Sequence, residues 1–111
     1  MKTKYYKLKE EDLKDLCNSP KWCIATDKIT VEGMKVGFMY REEPSEEGDS
    51  GWRFFSGTET QDFVDDPKNA MMFSLNTIAN YDEAILPFLK YSVGTELERV
   101  EGEDTFRRLE E

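Results

Sequence analysis

The sequence predicts an α+β fold: a small single domain with a mainly antiparallel sheet, an N-terminal helix and a short helical segment near residues 82–90. The length of 111 residues suits one compact domain spanning residues 1–111. Short segments rich in aromatic and β-branched residues recur along the chain without the regular strand and helix alternation of a parallel sheet. The 13% aromatic content supplies core material that a disordered chain lacks.

The N-terminal part predicts a helix and then a strand. From Lys9 to Cys17 the apolar residues recur at i, i+3 and i+4. Acidic residues lie near the start, where the helix dipole stabilises negative charge. Pro20 disfavours helical geometry in the residue before it, so the helix ends there. The segment "KWCIAT", residues 21–26, predicts the first strand from its aromatic and β-branched content.

Two further segments predict a hairpin in the middle of the chain. Residues 35–41 alternate between two faces, as a half-buried strand does. Residues 52–56 form the next strand, across an acidic loop of about ten residues. On that strand Trp52 shares one face with Phe54, while Arg53 shares the other with Phe55. Aromatics on both faces predict a strand covered on each side, or one whose outer face meets a partner.

The C-terminal half predicts alternating helical turns and strands. A helical turn is expected around Phe63, and "AMMFSL", residues 70–75, predicts a strand or a buried apolar segment. Asp82 can cap a short helix that an internal proline shortens. The segment "VGTELERV", residues 93–100, predicts the last strand, and the tail 101–111 is expected to be loosely attached.

Charge is unevenly distributed along the chain. The net charge is −9, yet residues 1–40 carry eight lysines against six acids, so the excess of acid lies in residues 41–111. Within residues 42–66, nine acids face a single cation, Arg53. This field disfavours direct binding to nucleic acid and favours a basic partner. The alternative is that these acids only solvate the surface.

Several kinds of chemistry lack the residues they need. There is no histidine, which removes Ser-His and Cys-His nucleophile systems and histidine-bearing metal sites. For "DFVDDPKN", residues 62–69, a turn is favoured over a cation site because the glycine-bearing spacing of a calcium loop is missing. Carboxylates are abundant, but nothing in their spacing selects a catalytic pair. The chain is therefore expected not to be an enzyme and to hold no metal or cofactor.

The expected setting is the cytoplasm. No stretch approaches the roughly 20 apolar residues that span a bilayer, and the first residues lack the apolar run of a signal peptide. Cys17 and Cys23 are then expected to be reduced thiols.

The stretch "SGWRFFSGTE", residues 50–59, is the most distinctive in the chain. Core packing explains its aromatics, with Trp52 at least partly buried and Arg53 paired to a nearby acid. The alternative is a recognition patch, since Trp and Arg are enriched in interface hot spots. The candidate partner-binding residues combine this strand with the neighbouring acids: Glu42, Glu43, Glu46, Glu47, Trp52, Arg53, Phe55, Asp65 and Asp66.

Five segments in order, "KVGFMYREEP", "GWRFFSGTE", "DDPKN", "LNTIANYD" and "VGTELERV", resemble the bacterial DUF2185 family, grouped with predicted immunity proteins of the Imm33 type. The resemblance covers roughly residues 21–100 and leaves out the N-terminal helix and the tail. It implies a cytosolic α+β domain that neutralises a cognate toxin by binding it, and supplies no catalytic residue. A basic protein toxin is the expected partner. The alternative function is a small housekeeping module that binds a peptide or metabolite without catalysis.

Overall fold

A six-stranded sheet runs through the protein with the strand order β4-β1-β3-β2-β5-β6. The computed structural model describes residues 4–109. Residues 1–3 lie outside the described residues, and so do residues 110–111 at the end of the predicted tail. The strands are β1 Trp22–Thr26, β2 Phe38–Arg41, β3 Asp49–Phe55, β4 Ala70–Ser74, β5 Glu96–Arg99 and β6 Phe106–Arg108. Every pairing is antiparallel except β1 with β3, so the predicted α+β class with a mainly antiparallel sheet is confirmed.

The predicted hairpin is formed by β2 and β3. Phe38 lies opposite Phe55, and Tyr40 lies opposite Arg53. Strand β2 starts at Phe38, later than predicted, because the backbone N–H of Val36 leaves the sheet and donates to the carboxylate of Asp82 at 3.0 Å. Both strands therefore occur in the predicted regions, but β2 is shorter than predicted and β3 already begins at Asp49 instead of residue 52.

The core lies between one face of the sheet and three short helical segments. These are α1 Asp27–Thr30, α3 Leu75–Tyr81 and the 3₁₀ segment Glu83–Phe88; a further helix, α2 Gln61–Asp65, precedes β4. Trp52 and Phe54 are fully buried in this core, which confirms the predicted burial of the tryptophan. The indole Nε1 of Trp52 donates to the carbonyl of Leu89 at 3.0 Å, so its one polar atom is satisfied inside the core.

The helical segment expected near residues 82–90 is confirmed as a 3₁₀ segment. Asp82 caps it, since its side chain accepts a hydrogen bond from the N–H of Ala84 at 3.1 Å. The same buried carboxylate accepts the N–H of Val36 and pairs with Arg99 on β5. Pro87 lies inside the segment, which is short as expected.

The prediction of a helix from Lys9 to Cys17 is wrong beyond its first turn. Only Glu10–Asp12 forms a 3₁₀ turn, and the chain is then irregular up to β1. The side-chain carbonyls of Asn76 and Asn80 on α3 accept hydrogen bonds from the N–H groups of Leu16 at 2.7 Å and Lys14 at 2.9 Å. These amides take up the backbone groups that a helix would pair internally.

The prediction of a loosely attached tail is wrong for the described residues. Strand β6 pairs with β5, and Phe106 is buried against Phe88, with ring centroids 5.4 Å apart. The segment predicted at residues 70–75 is a strand, β4, but it lies at the edge of the sheet. Met71 and Met72 are exposed there, so the alternative of a buried apolar segment does not hold for them.

Candidate protein-binding face

The sheet face opposite the core, called the outer face below, is the candidate site. Its residues alternate along the central strands with the buried residues Ala25, Met39 and Phe54. They are Ile24 on β1, Phe38 and Tyr40 on β2, and Arg53 and Phe55 on β3. Helix α2 borders this face, because Phe63 and Val64 line a hollow together with Ile24 and Tyr40. Alternation within strands thus gives the sheet a second aromatic surface.

Three half-buried aromatic rings form a cluster on the outer face. Tyr40 stacks on Phe55 with ring centroids 5.8 Å apart and an angle of 15°. Phe38 lies 5.9 Å from both rings. Burial raises the pKa of the Tyr40 phenol, and the carboxylates of Glu42 and Glu96 add to the increase. Its hydroxyl therefore stays protonated and can donate a hydrogen bond to a ligand.

Arg53 is fixed beside this cluster by two carboxylates. Its Nη1 and Nη2 donate to the two carboxylate oxygens of Asp49 at 3.0 Å and 2.7 Å, and its Nε donates to Glu42 at 2.6 Å. The hydrogen bond from Arg53 holds the pKa of Asp49 far below its ordinary value, despite the burial of that carboxyl. Asp49 and Arg53 are almost fully buried, so the cation is neutralised before any partner binds.

Further carboxylates surround the aromatic cluster. Glu96 is exposed opposite Tyr40, and Glu98 lies opposite Phe38, where it pairs with Arg107. Glu59 accepts hydrogen bonds from Thr26 at 2.6 Å and from the backbone N–H of Ser56 at 2.8 Å.

The environment of Glu59 keeps that carboxylate charged. Burial alone would raise its pKa, but the hydrogen bonds from Thr26 and from the backbone of Ser56 lower the pKa below its ordinary value overall. The outer face consequently combines aromatic rings with a surplus of negative charge.

Two hollows meet at Phe55 on this face. The smaller, of about 190 Å³, lies between the sheet and α2 and is lined by Tyr40, Glu42 and Arg53 among others. The larger, of about 750 Å³, is open and lies on the side of Phe38, Glu59 and Glu98. The smaller hollow has room for one protruding side chain of a binding partner, and the larger hollow has room for the residues next to it.

The predicted site residues fall into three groups: those around the smaller hollow, the exposed acids, and the buried Trp52. The structure brings Glu42, Arg53, Phe55 and Asp66 together around the smaller hollow. Glu43, Glu46, Glu47 and Asp65 are exposed, the first three in the loop between β2 and β3. That loop borders the outer face, because the backbone N–H of Ser45 donates to Asp49 at 2.9 Å.

Trp52 does not belong to the site. It points to the opposite side of the sheet, where none of its surface is exposed, so the expectation that part of it meets a partner is wrong. The alternation of β3 itself forces this, since Trp52 and Arg53 are neighbours and must face opposite ways.

Sequence reasoning missed six residues of the outer face: Ile24, Phe38, Tyr40, Glu59, Glu96 and Glu98. The alternation in residues 35–41 was a usable signal, because it placed Phe38 and Tyr40 on one face. Their contact with Phe55 depends on the register of the hairpin, and the position of Glu96 depends on β5 joining β2, neither of which local pattern fixes.

The outer face carries groups that are suited to binding. Among residues 4–109 no group of three or more His, Cys, Asp or Glu side chains is arranged to hold a metal ion. In the same range no helix has the length and apolar character needed to cross a bilayer. Stacked aromatic rings bordered by carboxylates are suited to holding a cationic side chain.

Comparison with known proteins identifies the family of the chain. The family model described as "Immunity protein Imm33 domain" matches residues 23–110 of the chain. The matched region includes β6, so it extends beyond residue 100, where the resemblance of the sequence segments ends. No curated protein and no solved structure shows significant similarity to the chain.

Proposed function

We propose that this chain, which belongs to the Imm33 family of immunity proteins, neutralises a cognate toxin by binding it through the outer face. The observation that carries the proposal is the stacked cluster of Phe38, Tyr40 and Phe55 within a ring of carboxylates. No catalytic step by the immunity protein is required. Its action is to cover a surface that the toxin needs.

The partner's contact surface is basic in this proposal. A guanidinium group can stack on the exposed parts of Tyr40 or Phe55 and donate to Glu42, whose side chain is 49% exposed. Cation–π contacts contribute on the order of 0.5–2 kcal/mol, depending on desolvation. Because Arg53 is already neutralised by Asp49, it offers little repulsion to an incoming cation.

A basic partner also fits inhibition by competition for a shared surface. Toxins that act on nucleic acids need cationic surfaces to bind phosphates. An acidic protein that occupies the same surface excludes the substrate by competition. Complementary charge chiefly raises the association rate and selects the partner, while buried aromatic anchors determine how slowly the complex dissociates.

The alternative of a housekeeping module that binds a metabolite at this face has less support. The smaller hollow, of about 190 Å³, lies below the 300–1,000 Å³ typical of small-molecule sites. The larger hollow is open to solvent along one side. A protein partner can place one side chain in the smaller hollow and rest its neighbouring residues against the larger, open hollow.

The test is capture of the partner followed by measurement of affinity. The tagged chain is used to isolate its partner from the source cell, or is mixed with the product of the neighbouring gene. Replacing Tyr40 and Phe55 together by Ala should weaken binding by about 30-fold or more, as expected for hot-spot aromatics. Tyr5→Ala, at a position 81% exposed and outside the outer face, is the control and should bind as the wild type does. A folded double variant with wild-type affinity would overturn the proposed site.

A further inference from the structure

We propose that the opposite side of the molecule holds a second binding site, for an organic anion with one carboxylate and a medium-length aliphatic chain. A cavity of about 360 Å³ lies there between the N-terminal segment, the ends of β2 and β3, and the helical residues 75–89. Its volume falls within the range typical of small-molecule sites. This site is separate from the outer face and does not depend on the proposed toxin binding.

The charged part of the cavity is cationic in an acidic protein. Lys21, Arg41 and Lys90 line it, and no Asp or Glu does. Within residues 4–109, none of these three cations forms a salt bridge with an Asp or Glu side chain. The overall charge of −9 repels anions at long range, but screening limits that effect to a Debye length of about 8 Å at 0.15 M salt. Inside the cavity, the cations of the lining therefore act on a ligand more strongly than the distant negative charges do.

Arg41 is held in place without being neutralised. Its Nε donates to the carbonyl of Ser50 at 2.9 Å, and its Nη1 donates to the carbonyl of Tyr91 at 2.7 Å. Its guanidinium group also lies over the ring of buried Trp52, 5.8 Å from the centroid. Nη2 has no acceptor among the described residues. In that part of the chain every buried side-chain nitrogen or oxygen has a hydrogen-bond partner, so Nη2 must be exposed and accessible to a ligand. A fixed guanidinium with an accessible donor is suited to binding a carboxylate.

The cavity also has an apolar part, and Asn18, Ser19 and Ser50 complete its lining. Leu75, Leu86 and Leu89 line it beside the half-buried thiol of Cys17. Leucine side chains next to cations favour a ligand with an aliphatic body and a single anionic group, because a fully polar anion would leave the apolar lining unused. A carboxylate at the cations, with its chain against the leucines, satisfies both parts.

Decanoate is the probe that tests this site, measured by calorimetric titration of the full chain. A dissociation constant on the order of 1 mM is expected for a ligand of this size. Removing two cations with Lys21→Ala and Lys90→Ala should weaken binding about 10-fold or more. The control, Lys14→Ala with Lys35→Ala, removes the same charge from exposed positions outside the cavity and should leave the affinity unchanged.

Two further ligands, one neutral and one anionic, separate the roles of charge and chain. 1-Decanol and butyrate should both bind more weakly than decanoate, because each lacks one of the two required parts. Equal binding of decanol and decanoate, equal weakening by both lysine pairs, or no binding of decanoate at several millimolar would overturn the proposal.

Cys17 supplies an independent readout. A thiol reagent should modify Cys17 selectively, because Cys23 is fully buried and its burial raises the pKa of that thiol. Bound decanoate should slow modification of Cys17 in the wild type at concentrations that saturate the calorimetric signal. If saturating decanoate leaves that rate unchanged, the ligand does not occupy this cavity.

Discussion

The pair formed by Asp49 and Arg53 sets the chemistry of the outer face at the level of single residues. Both side chains are nearly excluded from solvent, and two hydrogen bonds join them. Asp49 also accepts the backbone N–H groups of Ser45 and Gly51, which fixes the start of β3 and the end of the acidic loop. The pair therefore couples loop position to the neutralisation of Arg53.

Replacing Asp49 by Asn should destabilise the protein by about 3–5 kcal/mol, because removing one partner of a buried ion pair leaves the other charge uncompensated. Glu42 still contacts Arg53 and is half exposed, which places the effect toward the lower end of that range. Urea denaturation measures the change. Glu42→Gln is the matched control and should cost clearly less, since solvent can replace that exposed partner. A larger loss from Glu42→Gln than from Asp49→Asn would contradict this assignment.

Stability should fall as the solution is acidified below about pH 4. Hydrogen bonds from Arg53 lower the pKa of Asp49 in the folded state, and hydrogen bonds from Thr26 and Ser56 lower that of Glu59. A lowered folded-state pKa gives stability that is present above the unfolded pKa and is lost as the pH falls through the folded pKa. The urea midpoint should therefore drop between pH 7 and pH 3, and less steeply in Asp49→Asn. A parallel drop in both proteins would show that Asp49 is not a main contributor.

At the level of elements, Gly51 allows the acidic loop to close onto β3. Its φ of +88° lies in the left-handed region, and an added Cβ would be 2.2 Å from the carbonyl oxygen of Glu42. Gly51→Ala should destabilise the protein by about 2 kcal/mol or more. Gly102→Ala shares the positive φ, with no atom within 4 Å of the new Cβ, and should cost less. Equal effects in thermal or urea unfolding would mean that the steric contact at Gly51 contributes nothing.

Strand β6 is expected to be an integral part of the domain. Phe106 is 6% exposed and packs against Phe88, so Phe106→Ala should cost about 3–5 kcal/mol through lost burial and a new cavity. Arg107, the next residue, has a side chain that is 68% exposed. Arg107→Ala should change the free energy of unfolding by no more than about 0.5 kcal/mol. Similar effects from the two substitutions would contradict the role given to β6.

The elements that could be predicted are those fixed by local pattern. The hairpin strands followed from alternation, the cap at Asp82 from its residue type, and the burial of Trp52 from its place in an interior strand. The N-terminal helix was predicted wrongly because its competitors, Asn76 and Asn80, lie about 60 residues away in sequence. No local pattern carries that information.

Part of the candidate site was equally beyond local inference. The acids and Phe55 were identified, but the stacking of Tyr40 on Phe55 depends on hairpin register. Glu96 reaches the outer face only because β5 joins β2. The attachment of the tail depends in the same way on pairing between β5 and β6. Contacts between distant segments thus account for these gaps in the sequence prediction.

At the level of the whole molecule, the sheet separates two chemically different sides. The outer face carries aromatic rings and acids, while the cationic cavity lies on the core side near Trp52. The net charge of −9 adds a long-range field that attracts a basic partner. In the proposed function, the outer face recognises a basic toxin and the acidic loop accelerates the encounter.

The association rate of the captured toxin, measured at low and high salt, tests this central claim most directly. The wild-type rate should fall about 10-fold or more between 0.05 M and 0.5 M salt. Neutralising the loop with Glu43→Gln, Glu46→Gln and Glu47→Gln should lower the rate at low salt and flatten its salt dependence. The control triple, Glu10→Gln, Glu11→Gln and Glu83→Gln, changes the net charge equally at exposed sites elsewhere and should largely keep the wild-type behaviour. An association rate that ignores salt, or that responds equally to both triples, would contradict steering by the acidic loop beside the outer face.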